Sequence, residues 1–301
     1  MKTISRKQLL GYTIFAVTAG IVLAIARIYV SLDSLEPGIE LYKQRVFADN
    51  ILHGAVICVG LLLFSCMLLP LKDNPAAEAR GTSPLTVFAS TLCGFMMIAY
   101  DLIYIYDASK TNWAILGPII GHPRSTWTVA PASAFFALAL MVLTIPAAIY
   151  FLKTASSKVK EKPSYAVFAT FAIIWFILFA LHAYFDSSTA LNSPPKVLRI
   201  LTLLSFIMYA SHETRCIFRI ALPRWYLSFA YLAVFLGTLN SISDLILYRK
   251  GYIHLSDGYL GIAVELAYVL YILSRLLFLA AGKVTLSEDI SSSEKIVSDE
   301  P

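Results

Sequence analysis

The hydrophobic residues of this chain fall into eight long blocks that are separated by short polar segments. An α-helix needs about 20 mainly apolar residues to cross the hydrocarbon core of a bilayer. The pattern therefore predicts an all-α, polytopic transmembrane helix bundle of about eight spans, which forms one integral membrane domain over residues 1–285. The spans are predicted at residues 9–32, 51–71, 84–106, 129–152, 165–185, 197–220, 224–247 and 258–282.

The sixth block is the least apolar of the eight. Its uninterrupted apolar part runs only from Ile200 to Ala210. The block is a full span only if Lys196 and Arg199 lie at one membrane interface and the segment 212–219 lies at the other. Long basic side chains allow this, because they extend from a helix end to water.

The N-terminal block has two interpretations. Lys2, Arg6 and Lys7 precede an apolar run that reaches Ala24-Ile25-Ala26, and this combination resembles a secretory signal with its cleavage site. The run is longer than the 7–15 apolar residues of a usual signal. A retained first span is therefore favoured, and cleavage within residues 1–26 is the alternative.

Two further segments stand outside the spans. Residues 113–121, WAILGPIIG, are apolar but too short to cross a bilayer, so we expect an interfacial or re-entrant lid on the outer face. Residues 286–301 are polar and acidic, and their composition predicts a disordered cytoplasmic tail.

The distribution of Lys and Arg predicts the orientation. If the N-terminus is inside, cytoplasmic segments carry 14 of these residues and outer segments carry 8. Short cytoplasmic loops are enriched in positive charge. The bias favours both termini in the cytoplasm, and the plasma (cytoplasmic) membrane is the expected location.

Composition agrees with a membrane protein and excludes several other classes. The chain is 58% hydrophobic and 14% charged, with a mean hydropathy of +0.72, whereas soluble domains are about 45–50% apolar and about 25% charged. The net charge of +5 comes from short loops, so it does not indicate nucleic-acid binding. There is no CxxC pair and no HExxH run, and we expect neither a metal nor a cofactor.

The two halves of the chain share short patterns. Tyr12 to Asp33 and Tyr165 to Asp186 align at a fixed offset, and the residues around Asp101 repeat around Asp244. Four spans per half would give a parallel four-plus-four repeat, related by an axis along the membrane normal. Chance similarity between apolar segments is the alternative.

Ionisable residues in the hydrocarbon are functional candidates, because each costs about 2.5–3.5 kcal/mol on insertion scales. One group of polar residues is predicted toward the outer half of the bundle, where it is expected to line a polar cavity or bind an ion or substrate. Arg27 is expected to pair with one of the carboxylates, and Glu265 is the deepest acid. This group comprises Arg27, His53, Asp101, His182, Asn240, Asp244 and Glu265.

A second polar group is predicted at the cytoplasmic edge. It is suited to contact an anionic head group or a partner protein, and the alternative is an ordinary positive anchor. Its members are His212, Glu213, Arg215, Arg219, Arg224 and Arg275.

These features favour transport or sensing of a small solute or ion through an outward-facing polar cavity. The sequence contains no Walker A, GxGxxG or GxSxG motif, and no soluble block large enough for a catalytic domain. A non-catalytic component that acts through a membrane partner protein is one alternative. An intramembrane enzyme that acts on lipids, with His182 and Asp101 as an acid/base pair, is the other.

Overall fold

The computed structural model describes residues 6–37, 40–41, 47–65, 82–110, 119, 131–155, 163–186, 190, 192–217 and 223–281. These residues form long α-helices, which we number in chain order. The helices are α1 (Arg6–Ser34), α2 (Phe47–Phe64), α3 (Pro84–Lys110), α4 (Pro131–Thr154), α5 (Pro163–Phe185), α6 (Pro194–Ile217), α7 (Pro223–Arg249) and α8 (Gly258–Ala281).

Proline and glycine set many of the helix boundaries. Helices α3 to α7 all begin with proline, which suits the first helical position because its φ angle is preset and its missing N–H needs no partner there. Helix α7 ends with a Schellman motif, in which Gly251 has a φ of 73°. The amides of Gly251 and Tyr252 bond back to the carbonyls of Tyr248 and Leu247.

Seven of the eight described helices are long and apolar enough to cross a membrane, so the chain is a multi-pass membrane protein. The exception is α6, the block that the sequence marks as least apolar. Lys196 and Arg199 were expected to lie at a water interface, but they are only 7% and 5% exposed. Both charges have partners inside the protein, and the membrane depth of the two residues stays a prediction.

Helices α7 and α8 lie at the centre of the bundle. Helix α7 packs against α1, α2, α6 and α8, while α8 packs against α1, α3 and α7. Close approach of α1 to α7 depends on Gly20, where an added Cβ would lie 3.0 Å from the Phe235 carbonyl oxygen. Small residues at such contacts let two membrane helices approach closely.

Several predictions lie outside the described residues or stay predictions. Segment 113–121, apart from Ile119, and the tail 286–301 lie outside them. Residues 6–26 form the first part of α1, and the alternative that residues 1–26 are cleaved stays a prediction. The contacts between helices agree only in part with the predicted four-plus-four repeat. Contacts α3–α4 and α7–α8 correspond, whereas α6–α7 has no equally extensive counterpart between the described parts of α2 and α3.

Candidate functional site

Two buried clusters of charged residues lie toward opposite ends of the bundle. We call the end that holds Arg6 proximal and the end that holds Ser34 distal. The distal network consists of Arg27, Arg199, Asn240, Asp244, Asp257 and Glu265. The proximal cluster consists of Tyr150, Glu213, Tyr271 and Arg275.

Arg27 connects α1 to α7 in the distal network. Its Nη2 lies 3.0 Å from Asp244 Oδ1, and its Nη1 donates to Asn240 Oδ1 at 3.1 Å and to Ser243 Oγ at 2.5 Å. Both members of the ion pair are buried. The predicted pairing of Arg27 with a carboxylate is thus met by Asp244, which lies about one helical turn from Asn240.

Arg199 connects α6 to the start of α8. Its Nε donates to Glu265 Oε1 at 2.9 Å and its Nη1 donates to Asp257 Oδ1 at 2.9 Å. A second bond joins Nη2 to Asp257 Oδ2, which makes that contact bidentate. Bidentate guanidinium–carboxylate pairs are the strong, geometrically specific kind.

Asn240 joins the two halves of the distal network. Its amide nitrogen donates to Glu265 Oε2 at 3.3 Å, while its carbonyl oxygen accepts from Arg27. A continuous chain of polar contacts therefore runs from Asp244 to Asp257 across α1, α7, α8 and α6. With two arginines and three carboxylates, this chain has one excess negative charge when all five groups are ionised.

Glu213 is the centre of the proximal cluster. Its Oε1 accepts from Tyr271 at 2.7 Å and from Arg275 Nε at 3.1 Å, and its Oε2 accepts from Tyr150 at 3.1 Å. Glu213 is 1% exposed and Arg275 is 3% exposed. Both residues are therefore packed inside the bundle, while their predicted place at the cytoplasmic edge stays a prediction.

The two clusters join the same pair of helices with exchanged charges. At the distal end α6 contributes the arginine, Arg199, and α8 the acid, Glu265; at the proximal end α6 contributes Glu213 and α8 contributes Arg275. Along α8 the two pairs are about 15 Å apart, at a rise of about 1.5 Å per residue.

An aromatic layer separates the two ion pairs. Tyr268 of α8 lies 5.0 Å from Phe206 of α6 and 4.3 Å from Phe176 of α5, measured between ring centroids. Phe151 of α4 lies 5.7 Å from the same ring. The interior between the pairs is therefore filled by packed aromatic side chains. Glu265, Tyr268, Ile272 and Arg275 lie on one face of α8, and all four are buried.

A short turn after α1 covers the distal network. Glu40, which has a φ of 60°, accepts a hydrogen bond from the backbone amide of His254. Burial raises the pKa of Glu40 to about 7, and the neighbouring carboxylates of Asp244 and Asp186 also raise it. Glu40 lines a cavity of about 20 Å³ with Asp186, Lys196, Arg199 and His254, a size that holds one water molecule.

Three predicted distal residues lie apart from the network. Asp101 is buried on α3 and makes no hydrogen bond or ion pair with any other described residue. His182 is buried on α5 and stacks edge-on against Tyr104. His53 pairs with Asp49 on the outer face of α2, and about half of its side chain is exposed.

The predicted cytoplasmic group is only partly described. His212 is buried, with Nδ1 2.8 Å from the Met208 carbonyl oxygen. Arg215 is exposed, Arg219 lies outside the described residues, and so does the side chain of Arg224. The head-group or partner interpretation of this edge stays a prediction.

The sequence analysis did not identify Arg199 and Asp257 as members of the distal network. It also did not identify Tyr150 and Tyr271 as hydrogen-bond donors to Glu213. Arg199 was counted as a topological charge near a helix start. A signal did exist, because Glu265 and Arg275 each required a partner of opposite charge on another helix, and α6 carries Arg199 near its start and its single acid, Glu213, near its end.

Among the described residues, no group of three or more His, Cys, Asp or Glu side chains is placed to hold a metal ion. Comparison with protein-family models, with curated proteins and with solved structures gives no significant match for this chain.

Proposed function

We propose that this protein transports or senses a small solute or ion, with the two α6–α8 ion pairs acting as gates at opposite ends of one pathway. In this proposal α6 also crosses the membrane, which brings the number of spans to eight. Both termini are cytoplasmic, and the distal end faces outward at the plasma membrane. The observation that carries the proposal is the charge exchange between Arg199–Glu265 and Glu213–Arg275.

Buried ion pairs contribute little net stability, but they are suited to act as gates because each pair is either formed or broken. Desolvation offsets most of their attraction, so well-packed apolar residues would hold α6 and α8 together at least as well. Breaking one pair leaves charges that recruit water, which opens that end of the pathway. With one pair open and the other closed, the space around Tyr268 becomes accessible from one side at a time.

The excess negative charge of the distal network favours the binding of a cation whose movement is coupled to that of the solute. A proton or a monovalent cation would neutralise the third carboxylate without needing the ligand cluster of a divalent metal. Asp101, which is buried without a described partner, offers a second site for a proton in the same end of the bundle. Intramembrane carboxylates are the usual elements of proton relays.

Sided chemical labelling tests the gates without knowledge of the substrate. Ser205 lies on α6 between Arg199 and Glu213 and is 4% exposed, so Ser205→Cys in a background without the four native cysteines places a thiol between the gates. The protein in oriented vesicles is treated with a membrane-impermeant methanethiosulfonate reagent from either side. We expect slow labelling in this parent protein, because both gates are closed.

Opening one gate is expected to expose the thiol to one side only. Arg275→Gln leaves the Glu213 carboxylate without its cation and should allow labelling from the cytoplasmic side. Arg199→Gln leaves Glu265 and Asp257 without theirs and should allow labelling from the outside. Arg215→Gln, which removes an exposed arginine from the same helix, is the matched control and should stay slow. If neither gate variant reacts although both retain the parent's elution profile, the pairs are static supports and the gating proposal fails.

A further inference from the structure

The turn after α1 is attached to the rest of the distal end at two separate places. Leu35 is fully buried in a small hydrophobic cluster that includes Leu247 of α7 and Ile253 of the α7–α8 connection. Five residues further along, Glu40 accepts a hydrogen bond from the backbone amide of His254 in the same connection. The first attachment is made by aliphatic side chains, whereas the second is made by a carboxyl group that can gain or lose a proton.

The backbone of this turn adopts an unfavourable conformation at Glu40. Its φ of 60° lies in the left-handed region, which residues other than glycine rarely adopt. Backbone hydrogen bonds close the turn, from the Glu36 amide to the Leu41 carbonyl and from the Glu40 amide to the Glu36 carbonyl. Such a conformation persists only where surrounding contacts require it. We therefore expect the turn to change conformation when the contact between Glu40 and His254 is lost.

Glu40 and Arg199 line the same small cavity, whose volume is about 20 Å³. This space holds one water molecule and excludes larger solutes. Arg199 in turn binds Asp257 and Glu265 of the distal network. Glu40 belongs to a connection at the end of the bundle and Arg199 to a helix inside it, so the turn separates the distal surface from the network.

The surroundings of Glu40 disfavour its charged form. Burial is the main cause that raises the pKa of Glu40 from 4.5 to about 7, and the carboxylates of Asp244 and Asp186 raise it further. The His254 amide and the Ser193 hydroxyl act in the opposite direction without offsetting the burial. The titratable and charged groups around Glu40 and its cavity are Asp186, Lys196, Arg199, Asp244, His254 and Asp257.

We propose that Glu40 is a proton-controlled latch, which closes the distal end of the bundle when its carboxyl group is protonated and releases the turn when that group is ionised. In the closed state a carboxyl oxygen accepts from the His254 amide. Loss of the proton leaves a buried carboxylate near two other acids. The turn then moves about the Leu35 cluster, the carboxylate enters water, and the cavity opens toward Arg199.

The direction of the response follows from the closed state binding the proton more tightly. The closing effect of the proton is complete below about pH 4.5 and is lost as the pH rises through about 7. Alkaline conditions at the distal side therefore open the latch. The latch does not depend on the transport proposal, because it breaks neither α6–α8 ion pair and controls only the access of water to the distal network.

A thiol inside the cavity tests the latch in the purified full-length protein. Ala183 lines the cavity and is 8% exposed, so Ala183→Cys in a background without the four native cysteines places a thiol there. A methanethiosulfonate reagent reaches this thiol only when the cavity opens. Labelling rates are measured with Glu40 present and in the Glu40→Gln background. Their ratio at each pH cancels the titration of the thiol itself.

The Glu40→Gln background should stay closed at every pH, because it keeps an acceptor for the His254 amide and has no charge. We expect the ratio of the two rates to rise by at least about tenfold between about pH 5 and about pH 8. Glu40→Ala removes the acceptor and should label faster than Glu40→Gln at both pH values. A ratio that does not change with pH, or a Glu40→Ala protein as slow as Glu40→Gln, overturns the latch.

Three controls separate the latch from other titrating groups. His254→Gln removes an imidazole that ordinarily titrates near neutrality but keeps the backbone amide, so the rise in the ratio should persist. Glu36→Gln, at an exposed position of the same turn, should also leave it unchanged. Asn192→Cys places an exposed thiol at the same end and should label equally in both backgrounds. Loss of the rise in His254→Gln assigns the response to the imidazole and overturns the role of Glu40.

Discussion

Glu213 on α6 accepts a hydrogen bond from Arg275 on α8 at 3.1 Å, and Arg199 and Glu265 join the same helices at the other end with the charges exchanged. This arrangement explains why α6 belongs in the bundle although it is less apolar than the other described helices. Arg199 and Glu213 of α6 are paired across the interior instead of being solvated at the surface. The pairs therefore specify how α6 and α8 align along the bundle.

Removing one partner of the proximal pair is expected to be strongly destabilising. Arg275→Met leaves the Glu213 carboxylate buried without its cation, which costs about 3–5 kcal/mol. The double variant Glu213→Gln with Arg275→Met should recover most of that loss, because no unpaired charge stays buried. The glutamine oxygen can accept from Tyr271, and its amide nitrogen can donate to the Tyr150 hydroxyl oxygen. Unfolding in a mild detergent, followed by circular dichroism, measures both effects.

Arg215→Met provides the comparison for that experiment. Arg215 is exposed on the same helix, so its replacement should change the free energy of unfolding by no more than about 0.5 kcal/mol. A double variant as unstable as Arg275→Met alone would show that the ion pair, rather than charge balance, holds the helices.

The orientation of the chain and the membrane crossing of α6 can be tested with single exposed cysteines. Glu36→Cys, Asn192→Cys and Lys250→Cys are expected to react with an impermeant maleimide from outside intact cells, because all three exposed positions lie at the distal end. Arg215→Cys should react only after the membrane is permeabilised. Labelling of Asn192→Cys and Arg215→Cys from the same side would contradict a membrane-spanning α6.

Much of the helical architecture follows from local sequence, whereas the site depends on contacts between helices. The predicted span 165–185 differs from α5 by two residues at its start, because a long apolar run that begins after a proline leaves little freedom. Pairing of Arg199 with Glu265 joins residues on two helices that are 66 positions apart. Hydropathy identifies Arg199 only as a charge near a helix start, and the packing of α6 against its neighbours is what gives it two carboxylate partners.

Glu40 should make stability depend on pH near neutrality. Its pKa is raised from 4.5 to about 7 in the folded protein, so the folded state binds the proton more tightly than the unfolded state does. The stabilising contribution of the protonated form is complete below about pH 4.5 and is lost as the pH rises through about 7. Melting temperatures measured across this range should fall with rising pH.

Two substitutions in the same turn separate Glu40 from other titrating groups. Glu40→Gln keeps an acceptor for the His254 amide and should remove this component of the pH dependence. Glu36→Gln, at an exposed position, should leave it unchanged. If both variants follow the wild-type profile, groups other than Glu40 govern the pH response. The titratable and charged groups near Glu40 are Asp186, Lys196, Arg199, Asp244, His254 and Asp257.

The contact between α1 and α7 should be sensitive to volume at Gly20 and insensitive at Gly11. An added Cβ at Gly20 would lie 3.0 Å from both the Phe235 carbonyl oxygen and the Thr238 Cβ, whereas one at Gly11 meets nothing within 4 Å. Gly20→Val is therefore expected to lower the free energy of unfolding by about 1–3 kcal/mol through overpacking. Because the displaced α1 carries Arg27, the same variant should also disturb the ion pair with Asp244.

Gly11→Val has the same change in helix propensity without the steric conflict, so the difference between the two variants in a detergent unfolding series isolates the packing effect. Equal losses would show that α1 does not depend on close packing against α7.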